Sequence, residues 1–437
     1  MLTWGANSHG QLGTGDTNDA YEPYKIDFRG PVTLIAGGGG HSLIVTENNI
    51  FSCGLNSVGQ LGRSNDSSCF KLMPFSFSST VRMVSCGWDF SVVVLNDGSV
   101  FSWGSNAYGQ LGKENINSSI VPIHVDIEPI RSISAGLRHV IAVSISGKLF
   151  GWGSNRRKQL FVNTSFIKTE YYDKSKEIVY RPTLLNSELG SINEYVDCAA
   201  GAYHSVVKTS TNKLALWGDI RFFKRVSVVQ DSSSNIDVEN SYPIWYDSEL
   251  FGSNEIEQVV CGWSHVLVRT SVGEVYSWGR SDLGQLGRKI GVLNNMMENS
   301  SDEKFQDYET HPGRVRFHLD TTHEATIKTI ACGSEHSLAI DSSGQLWVWG
   351  WNEHGMCGVK TKIEGQSEGE ENQTEFTTYI REPYRIKLRG FDRNCEVKYV
   401  GCGYGHSMAY VESINKYYSR DRIFCCVVKS LRPLIIC

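Results

Sequence analysis

One spacing recurs along this sequence and limits what the chain can fold into. A Gly-x-x-His motif, or a close variant, leads into an apolar run, and a Trp-Gly-like pair follows 12 or 13 residues later. The motifs end at His41, Phe90, His139, His204, His265, His336 and His406, and the pairs begin at Trp4, Cys53, Trp103, Trp152, Trp217, Trp278 and Trp349. The last motif has no pair after it, and the first pair has no motif before it. A ring whose chain begins inside one of seven units would produce that mismatch.

Each unit predicts an antiparallel β-hairpin. A β-prone run follows the motif, a tight turn such as Asn96-Asp97-Gly98 reverses the chain, and a second run returns to the Trp-Gly pair. The motif and the pair should therefore lie at the same edge of the hairpin. A glycine-rich loop follows, most clearly Gly109-Gln110-Leu111-Gly112, and a weaker strand with nearby proline leads to the next motif.

Seven such units predict an all-β, seven-bladed β-propeller over residues 1–412, because a radial array leaves few exposed strand edges. An open β-solenoid is the alternative, and the unmatched motif and pair argue against it. Ring closure should come from pairing of Met1–Trp4 with the strand after His406, although residues 416–419 compete for that place. Residues 413–437 form a tail without the repeat pattern.

The motifs recur at intervals of 49, 49, 65, 61, 71 and 70 residues, so the later units carry insertions. All of them fall between a Trp-Gly pair and the next motif, which predicts loops at the rim or on one face. The largest insertions span residues 154–197, 219–258, 288–328 and 359–397, and the last two have solvated, disorder-prone compositions.

Composition excludes several classes of function. The net charge of −5 and the pI near 6.2 give no basic surface for nucleic acid, and no stretch of about 20 apolar residues predicts a membrane span. Only three residues precede Trp4, so we expect no signal peptide and a reducing, cytoplasmic location, with the nucleus as a second expected location. We also expect a monomer.

The cysteines are predicted to be buried free thiols rather than metal ligands or redox groups. Four of the twelve stand directly before the glycine of a motif, where other units have alanine: Cys86, Cys261, Cys332 and Cys402. No Cys-x-x-Cys pair is present, and Gly37–Gly40 precedes a strand without a Gly-Lys-Ser/Thr continuation. We therefore expect no metal, no cofactor, no catalytic residue and no covalent chemistry.

The combination of Trp-Gly-x-Asn-x-x-Gly-Gln-Leu-Gly with Gly-x-x-His-Ser resembles the regulator of chromosome condensation repeat. The matching segments include residues 37–42, 86–90, 135–139 and 349–358, and the resemblance covers residues 1–412. It is closest to the secretion-regulating branch of that family. The departures are Cys53 for tryptophan, Phe90 for histidine, and two degraded loops after Trp152 and Trp217.

This resemblance implies guanine nucleotide exchange on a small GTPase, in secretion or vesicle traffic, with an exocyst component as a further partner. The alternative is a scaffold that binds a protein partner, such as an exocyst subunit, without catalysing exchange. Both functions act through binding. No basic arm precedes Trp4, which disfavours chromatin binding.

The repeated aromatic and imidazole side chains have a structural and a functional interpretation. One residue per blade is spread around a circle, too widely for a shared metal, so we favour buried structural roles. These positions are His41, His139, His204, His265, His336 and His406, with Trp4, Trp103, Trp152, Trp217, Trp278 and Trp349 as core aromatics between blades.

The two residues between glycine and histidine differ from unit to unit, and they should open onto one face around the central shaft. Mixed aromatic and charged residues on a rigid face suit a protein interface, although exposed variable residues without a role are the alternative. The candidates are Trp88, Asp89, Arg138, Tyr203, Trp263, Glu335 and Tyr404, with basic loop residues Arg156, Arg157, Lys158, Arg221, Lys224 and Arg225 beside them.

Overall fold

The seven predicted units form seven antiparallel sheets arranged as the blades of a propeller. The structure, a computed structural model, describes residues 1–28, 30–47, 49–64, 67–73, 75, 77–162, 171–185, 194–223, 243–290, 307–360, 378–388 and 395–413. The basic residues Lys224 and Arg225, the competing segment 416–419, residues 414–437 of the tail and much of the four insertions lie outside these ranges.

Blades are numbered here in the order of their Gly-x-x-His motifs. Blade 1 contains strands Val32–Gly37, His41–Thr46, Ile50–Gly54 and Ser67–Leu72. Blade 2 contains Val81–Cys86, Phe90–Leu95, Val100–Ser105 and Ser118–Val125. Blade 3 contains Ile130–Ala135, His139–Ser144, Leu149–Ser154, Ile178–Leu184 and the added Tyr172–Asp173. Blade 4 contains Tyr195–Ala200, His204–Thr209, Leu214–Gly218 and Ile244–Tyr246.

The remaining blades follow the same order. Blade 5 contains Ile256–Cys261, His265–Thr270, Val275–Arg280 and Tyr308–Val315, and a 3-10 helix at Ser248–Phe251 precedes it. Blade 6 contains Ile327–Cys332, His336–Asp341, Leu346–Trp351 and Tyr379–Arg385. Blade 7 combines Cys395–Cys402 and His406–Ser413 with the N-terminal strands Leu2–Gly5 and Ala20–Lys25.

Blade 7 confirms the predicted closure of the ring. Leu2 pairs with Ala409, Thr3 with Met408 and Gly5 with His406, all antiparallel. The two ends of the propeller are therefore held by a backbone ladder within one sheet.

The hairpin prediction is also confirmed. Each motif histidine lies opposite the glycine of its Trp-Gly pair, as His139 does with Gly153 and His336 with Gly350. The outermost strands contain prolines at positions 23, 122, 312 and 383, and each pairs with its neighbour through a register shift. Proline is tolerated there because an edge strand has N–H groups without a ladder partner.

The hydrophobic core is divided among the seven joints, the contacts between neighbouring blades. Each buried apolar cluster draws its residues from two adjacent blades. In the second strand of blade 1, Leu43 and Val45 pack toward blade 2, while Ile44 packs toward blade 7. Successive side chains of a strand point to opposite faces, so a strand between two blades is buried on both.

The joints also contain a repeated hydrogen-bond pattern that explains the sequence motif. The histidine of one blade bonds the serine that follows the last motif position, a histidine or Phe90, in the next blade, and the five bonds are 2.7 to 3.0 Å long. The pairs are His41 with Ser91, His139 with Ser205, His265 with Ser337, His336 with Ser407 and His406 with Ser42.

The glutamine loop completes this pattern through its backbone. The carbonyl of Gln60 accepts from Ser91 Oγ at 3.0 Å and from Trp103 Nε1 at 2.9 Å, both in the next blade. Since Ser91 donates its single proton to that carbonyl, its oxygen accepts from His41 Nε2–H. The histidine, serine, tryptophan and glutamine positions of the repeat are thus one network shared by two blades.

These contacts give the motif histidines and tryptophans structural positions. All six histidines are at most 1 % exposed, and all six tryptophans at most 2 %. Burial lowers the pKa of five histidines to about 3 and that of His204 to about 4. They are therefore neutral near physiological pH. Five of the six bond a serine of the next blade.

Candidate protein-interaction face

The loops between glycine and histidine converge at one end of the central shaft. Their backbones are joined from blade to blade by six N–H···O bonds of 2.7 to 3.4 Å, beginning with Gly39 to Trp88 and ending with Tyr404 to Gly38. The described residues lack the corresponding bond only between blades 3 and 4. This belt fixes the first variable residue of each motif before any partner arrives.

Three predicted face residues meet on the axis although they belong to blades 2, 5 and 7. The Trp88 ring stacks on Tyr404 with centroids 5.5 Å apart and lies 6.1 Å from Trp263. Trp263 and Tyr404 meet edge to face at 5.5 Å. A side chain at Gly39 would come within 2.8 Å of the Trp88 ring, so glycine in blade 1 leaves room for this cluster. Trp88 is 43 % exposed and offers a fixed aromatic surface.

Asp89 and Arg138 are two ionisable residues of opposite charge beside this cluster. Gln110 Nε2 donates to Asp89 Oδ1 at 3.2 Å, and the Arg138 guanidinium lies 4.2 Å above the Tyr108 ring. Burial raises the pKa of Asp89, whereas bonds from Ser105 and Gln110 and the charge of Arg138 act in the opposite direction. Both side chains are half-buried.

Glu335 corrects the predicted face. It occupies the equivalent repeat position but is only 4 % exposed, so the prediction that it is accessible to a partner is wrong. Ser264 Oγ lies 2.7 Å from both carboxylate oxygens, Gln285 Nε2 donates at 2.9 Å, and Arg280 lies 3.7 Å away. Burial raises the pKa of Glu335 to about 7 against these favourable contacts.

Glu335 Oε2 also lies 3.9 Å from His265 Nδ1, but the two do not form an ion pair. Burial holds the pKa of His265 to about 3, so its imidazole is neutral. Glu335 therefore joins blade 6 to blade 5 from inside the structure.

Tyr203 and the basic loop of blades 3 and 4 occupy the exposed part of the face. Tyr203 is 37 % exposed, and Arg156, Arg157, Lys158 and Arg221 are also exposed. Arg221 pairs with Asp219 at 2.7 Å. The face prediction therefore remains a prediction for Trp88, Asp89, Arg138, Tyr203, Trp263 and Tyr404.

The loop after Trp152 is not degraded, contrary to our expectation. Lys158 N bonds Asn155 O at 2.9 Å and Leu160 N bonds Asn155 Oδ1 at 3.0 Å, as in the glycine-containing loops. Lys158 and Phe161 replace the two glycines and keep positive φ values of 59° and 47°. The loop after Trp217 differs, since Asp219–Phe223 contains no equivalent glutamine.

Behind the aromatic cluster, the shaft forms a cavity of about 410 Å³. Cys86, Cys198, Cys261, Cys332 and Cys402 line it with small apolar and serine residues. Cys86 is buried as predicted, and the other three predicted thiols are partly exposed toward the shaft. Burial raises the pKa of Cys86 to about 12, so it is a protonated thiol. Among the described residues, no group of three His, Cys, Asp or Glu side chains could hold a metal.

Comparison with known proteins is decisive for the family. The model of the RCC1-like domain matches residues 1–409. The chain belongs to the RCC1-like family. Secretion-regulating guanine nucleotide exchange factor of Mus musculus is 34 % identical over 94 % of this chain and 83 % of its own length. The ultraviolet-B receptor UVR8 of Arabidopsis thaliana is 27 % identical over 95 % of this chain and 72 % of its own.

Solved structures of other family members agree on the fold. Prp20p of Saccharomyces cerevisiae, a protein studied for its binding to Gsp1p and histones, superposes with a TM-score of 0.74 at 23 % identity. That match covers 95 % of this RCC1-like chain and 92 % of Prp20p. The described residues of the propeller contain no helix with the length and apolar character needed to cross a bilayer.

Sequence reasoning missed the residues that position the face from neighbouring loops. Tyr108 and Gln110 support Arg138 and Asp89, while Ser264 and Gln285 hold Glu335. The glutamine of the Gly-Gln-Leu-Gly loop could have been found, because it follows five of the seven Trp-Gly-like pairs at a fixed distance. The other contacts join positions in different blades and leave no local pattern.

Proposed function

We propose that this RCC1-like protein regulates a small GTPase as a guanine nucleotide exchange factor, in secretion or vesicle traffic. The observation that carries the proposal is the 34 % identity with the murine secretion-regulating exchange factor over nearly the whole chain. The face supports it, because a preformed aromatic surface with half-buried charges beside it is suited to a protein partner. We further propose that the protein acts in the cytoplasm, with the nucleus as a second location.

The mechanism needs binding alone. The face would bind the nucleotide-free GTPase more tightly than the loaded form. By thermodynamic linkage, the protein must then weaken nucleotide binding by the same factor. A tenfold difference corresponds to about 1.4 kcal/mol, which a few contacts at the face can supply. No residue of the chain has to form or break a covalent bond.

The test is nucleotide release from a panel of purified small GTPases loaded with fluorescent GDP. We expect the full chain to accelerate release from one of them and to retain the same GTPase, in its nucleotide-free form, in a pull-down. Retention without acceleration would favour the scaffold function, with exocyst subunits as candidates for the partner. Neither retention nor acceleration across the panel would contradict regulation of a GTPase.

Matched aromatic substitutions connect the activity to the face. Trp88→Ala and Tyr203→Ala should weaken GTPase binding by roughly tenfold, because exposed aromatic residues often dominate interface energy. Trp245→Ala and Tyr384→Ala are the controls, since these residues are 37 % and 45 % exposed on outer strands. Equal effects of both pairs on binding would place the site elsewhere, and thermal unfolding would identify variants that fail to fold.

A further inference from the structure

One loop of the face carries strain that the equivalent loops avoid. Lys158 and Phe161 have φ values of 59° and 47°, while their counterparts Gly109 and Gly112 have 74° and 69°. The left-handed region is unfavourable for residues with a Cβ, and such residues concentrate at functional sites. The backbone of this loop could be formed more easily by glycine, so the side chains themselves need an explanation.

The tip of this loop is a cluster of cations. Arg156, Arg157 and Lys158 are exposed, and the Arg157 backbone N–H is held by Gln159 Oε1 at 2.8 Å. Lys158 reaches Glu177 at 3.5 Å. Within the described part of the chain, Arg156 and Arg157 have no ion-pair partner. The loop is therefore rigid in its backbone and holds an excess of positive charge on a protein whose net charge is −5.

The loop is built into the candidate face. Ser154 N bonds Arg138 O at 2.9 Å, and Asp219 N bonds Tyr203 O at 2.8 Å. A side chain at Gly218 would lie 3.2 Å from Gln159 Cα, so the two loops are in contact. The cations thus adjoin the exposed Tyr203 and the half-buried Arg138.

We propose that the Arg156–Lys158 loop binds a carboxylate-rich segment of the protein partner. This inference deepens the proposed function, and it rests on that function only for the identity of the partner. A guanidinium presents parallel N–H donors that match a carboxylate, and unpaired arginines next to an exposed aromatic ring are typical of protein interfaces. An anionic membrane surface is disfavoured, because two of the four exposed cations pair with carboxylates, Lys158 with Glu177 and Arg221 with Asp219. Membrane-binding segments usually contain about four to eight basic residues in one cluster.

The first experiment uses a fluorescent oligo-glutamate peptide as the probe, with anisotropy measured at low and physiological salt. Arg156→Glu combined with Arg157→Glu should weaken binding at least tenfold. Lys328→Glu combined with Lys387→Glu makes the same change of charge at exposed lysines away from the face, and it should alter binding less than twofold. Equal losses in the two double variants, or no peptide binding by the parent at low salt, would overturn the proposal.

Vesicles containing phosphatidylserine test the competing anion. We expect the parent to bind them no better than the Arg156→Glu, Arg157→Glu variant does. Vesicle binding that depends on these arginines, without peptide binding, would assign the loop to membranes and overturn the proposal.

The strain provides an independent test at Lys158. Lys158→Gly supplies the residue used in the other loops, so it should raise the melting temperature while weakening peptide binding about twofold to threefold. A variant that is both more stable and equally tight in binding would contradict a binding role for this side chain.

The same variants on the GTPase panel separate the two proposals. If the parent accelerates release from a GTPase and the arginine reversal leaves binding of that GTPase unchanged, the loop proposal fails while the function stands. If the parent binds the acidic peptide through the arginines but acts on no GTPase, the loop proposal stands and the function fails.

Discussion

The joint between blades 5 and 6 and the joint between blades 4 and 5 solve the same packing problem with different chemistry. Between blades 5 and 6, His265 bonds Ser337 at 3.0 Å and Trp349 donates to Gln285 O at 3.0 Å. This joint contains both bonds and is reinforced by the buried Glu335.

The joint between blades 4 and 5 has lost both bonds. Val266 stands where a serine would meet His204, and the buried Nε2 of His204 has no partner among the described residues. Trp278 Nε1 also has no partner among the described residues. The loop after Trp217 has no glutamine whose carbonyl could accept a hydrogen bond from this N–H. Aromatic rings fill the space instead: Phe223 lies 4.8 Å from His204, and Tyr246 lies 5.0 Å from Trp278.

The difference teaches that positions of the repeat act in pairs that span neighbouring blades. Between blades 2 and 3, Phe90 and Val140 replace the histidine and the serine together, so no polar atom is left unpaired. Between blades 4 and 5 the histidine remains but the serine is replaced by Val266, so the Nε2 of His204 has no partner among the described residues. Polar and apolar joints can therefore close the same ring, while the half-converted joint lacks the bonds that His204 Nε2 and Trp278 Nε1 would make in a polar joint.

Acid should produce the largest effect, because it charges the histidines of the polar joints. The folded pKa values near 3 to 4 lie below the ordinary 6.5, so the unfolded chain binds more protons below pH 6.5. The contribution of each histidine to the free energy of unfolding should be complete above pH 6.5. It should fall as the pH drops, by about 1.4 kcal/mol per pH unit for each histidine. The groups concerned are His41, His139, His204, His265, His336 and His406.

Glu335 acts in the opposite sense. Its folded pKa of about 7 lies above the ordinary 4.5, so between these values the folded chain binds its proton more tightly. Glu335 therefore offsets the effect of about one of the six histidines. The expected net loss in the free energy of unfolding is roughly 7 kcal/mol per pH unit below pH 6. Urea unfolding between pH 8 and pH 5 measures this slope, with Glu335→Gln as the control that should steepen it. A midpoint that stays constant down to pH 5 would contradict buried neutral histidines.

Removing the aromatic ring that fills the half-converted joint between blades 4 and 5 should give the next largest effect. Phe223 is 2 % exposed, and Phe223→Ala should destabilise the fold by about 3–5 kcal/mol through lost burial and a cavity. The neighbouring Phe222 is only partly buried, so Phe222→Ala should lose much less stability. Similar losses in the two variants, measured by urea unfolding, would show that Phe223 does not replace the missing polar network.

Much of this architecture could be predicted from the sequence because it depends on local spacing. The interval between His139 and Trp152 specifies a hairpin, and its recurrence specifies the ring and its closure. The burial of Glu335 could not be predicted, since it depends on Ser264 and Gln285 from other parts of the ring. The loop after Trp152 was also predicted wrongly as degraded. Lys158 and Phe161 stand at glycine positions, but they adopt positive φ values and leave the backbone of the loop unchanged.

One substitution made in both joints tests the comparison directly. His265→Phe removes a bond to Ser337 and should destabilise the propeller by roughly 1–3 kcal/mol. His204→Phe removes an imidazole whose Nε2 is already unpaired beside Phe223, so its effect should be smaller by at least 1 kcal/mol. Phe90 shows that a phenyl ring fits this position of the blade. Equal losses of unfolding free energy would mean that the two joints do not differ in their hydrogen bonding.

The smallest expected effect comes from adding a single hydroxyl to the half-converted joint, with the apolar joint between blades 2 and 3 as the control. Val266→Thr keeps the shape of the side chain and places an O–H near the unpaired Nε2 of His204, so it should stabilise the fold by up to about 1 kcal/mol. Val140→Thr makes the same change opposite Phe90, which cannot accept a hydrogen bond, and burial of the unpaired hydroxyl should destabilise by about 1–3 kcal/mol. Urea unfolding of the two variants beside the parent measures the sign of each change. The comparison holds if the signs are opposite, because the half-converted joint contains an imidazole Nε2 that lacks its serine partner, whereas the joint between blades 2 and 3 contains a phenyl ring at that position. A loss of stability in both variants would mean that the hydroxyl at position 266 does not reach His204 and that the missing serine is not what separates this joint from the others.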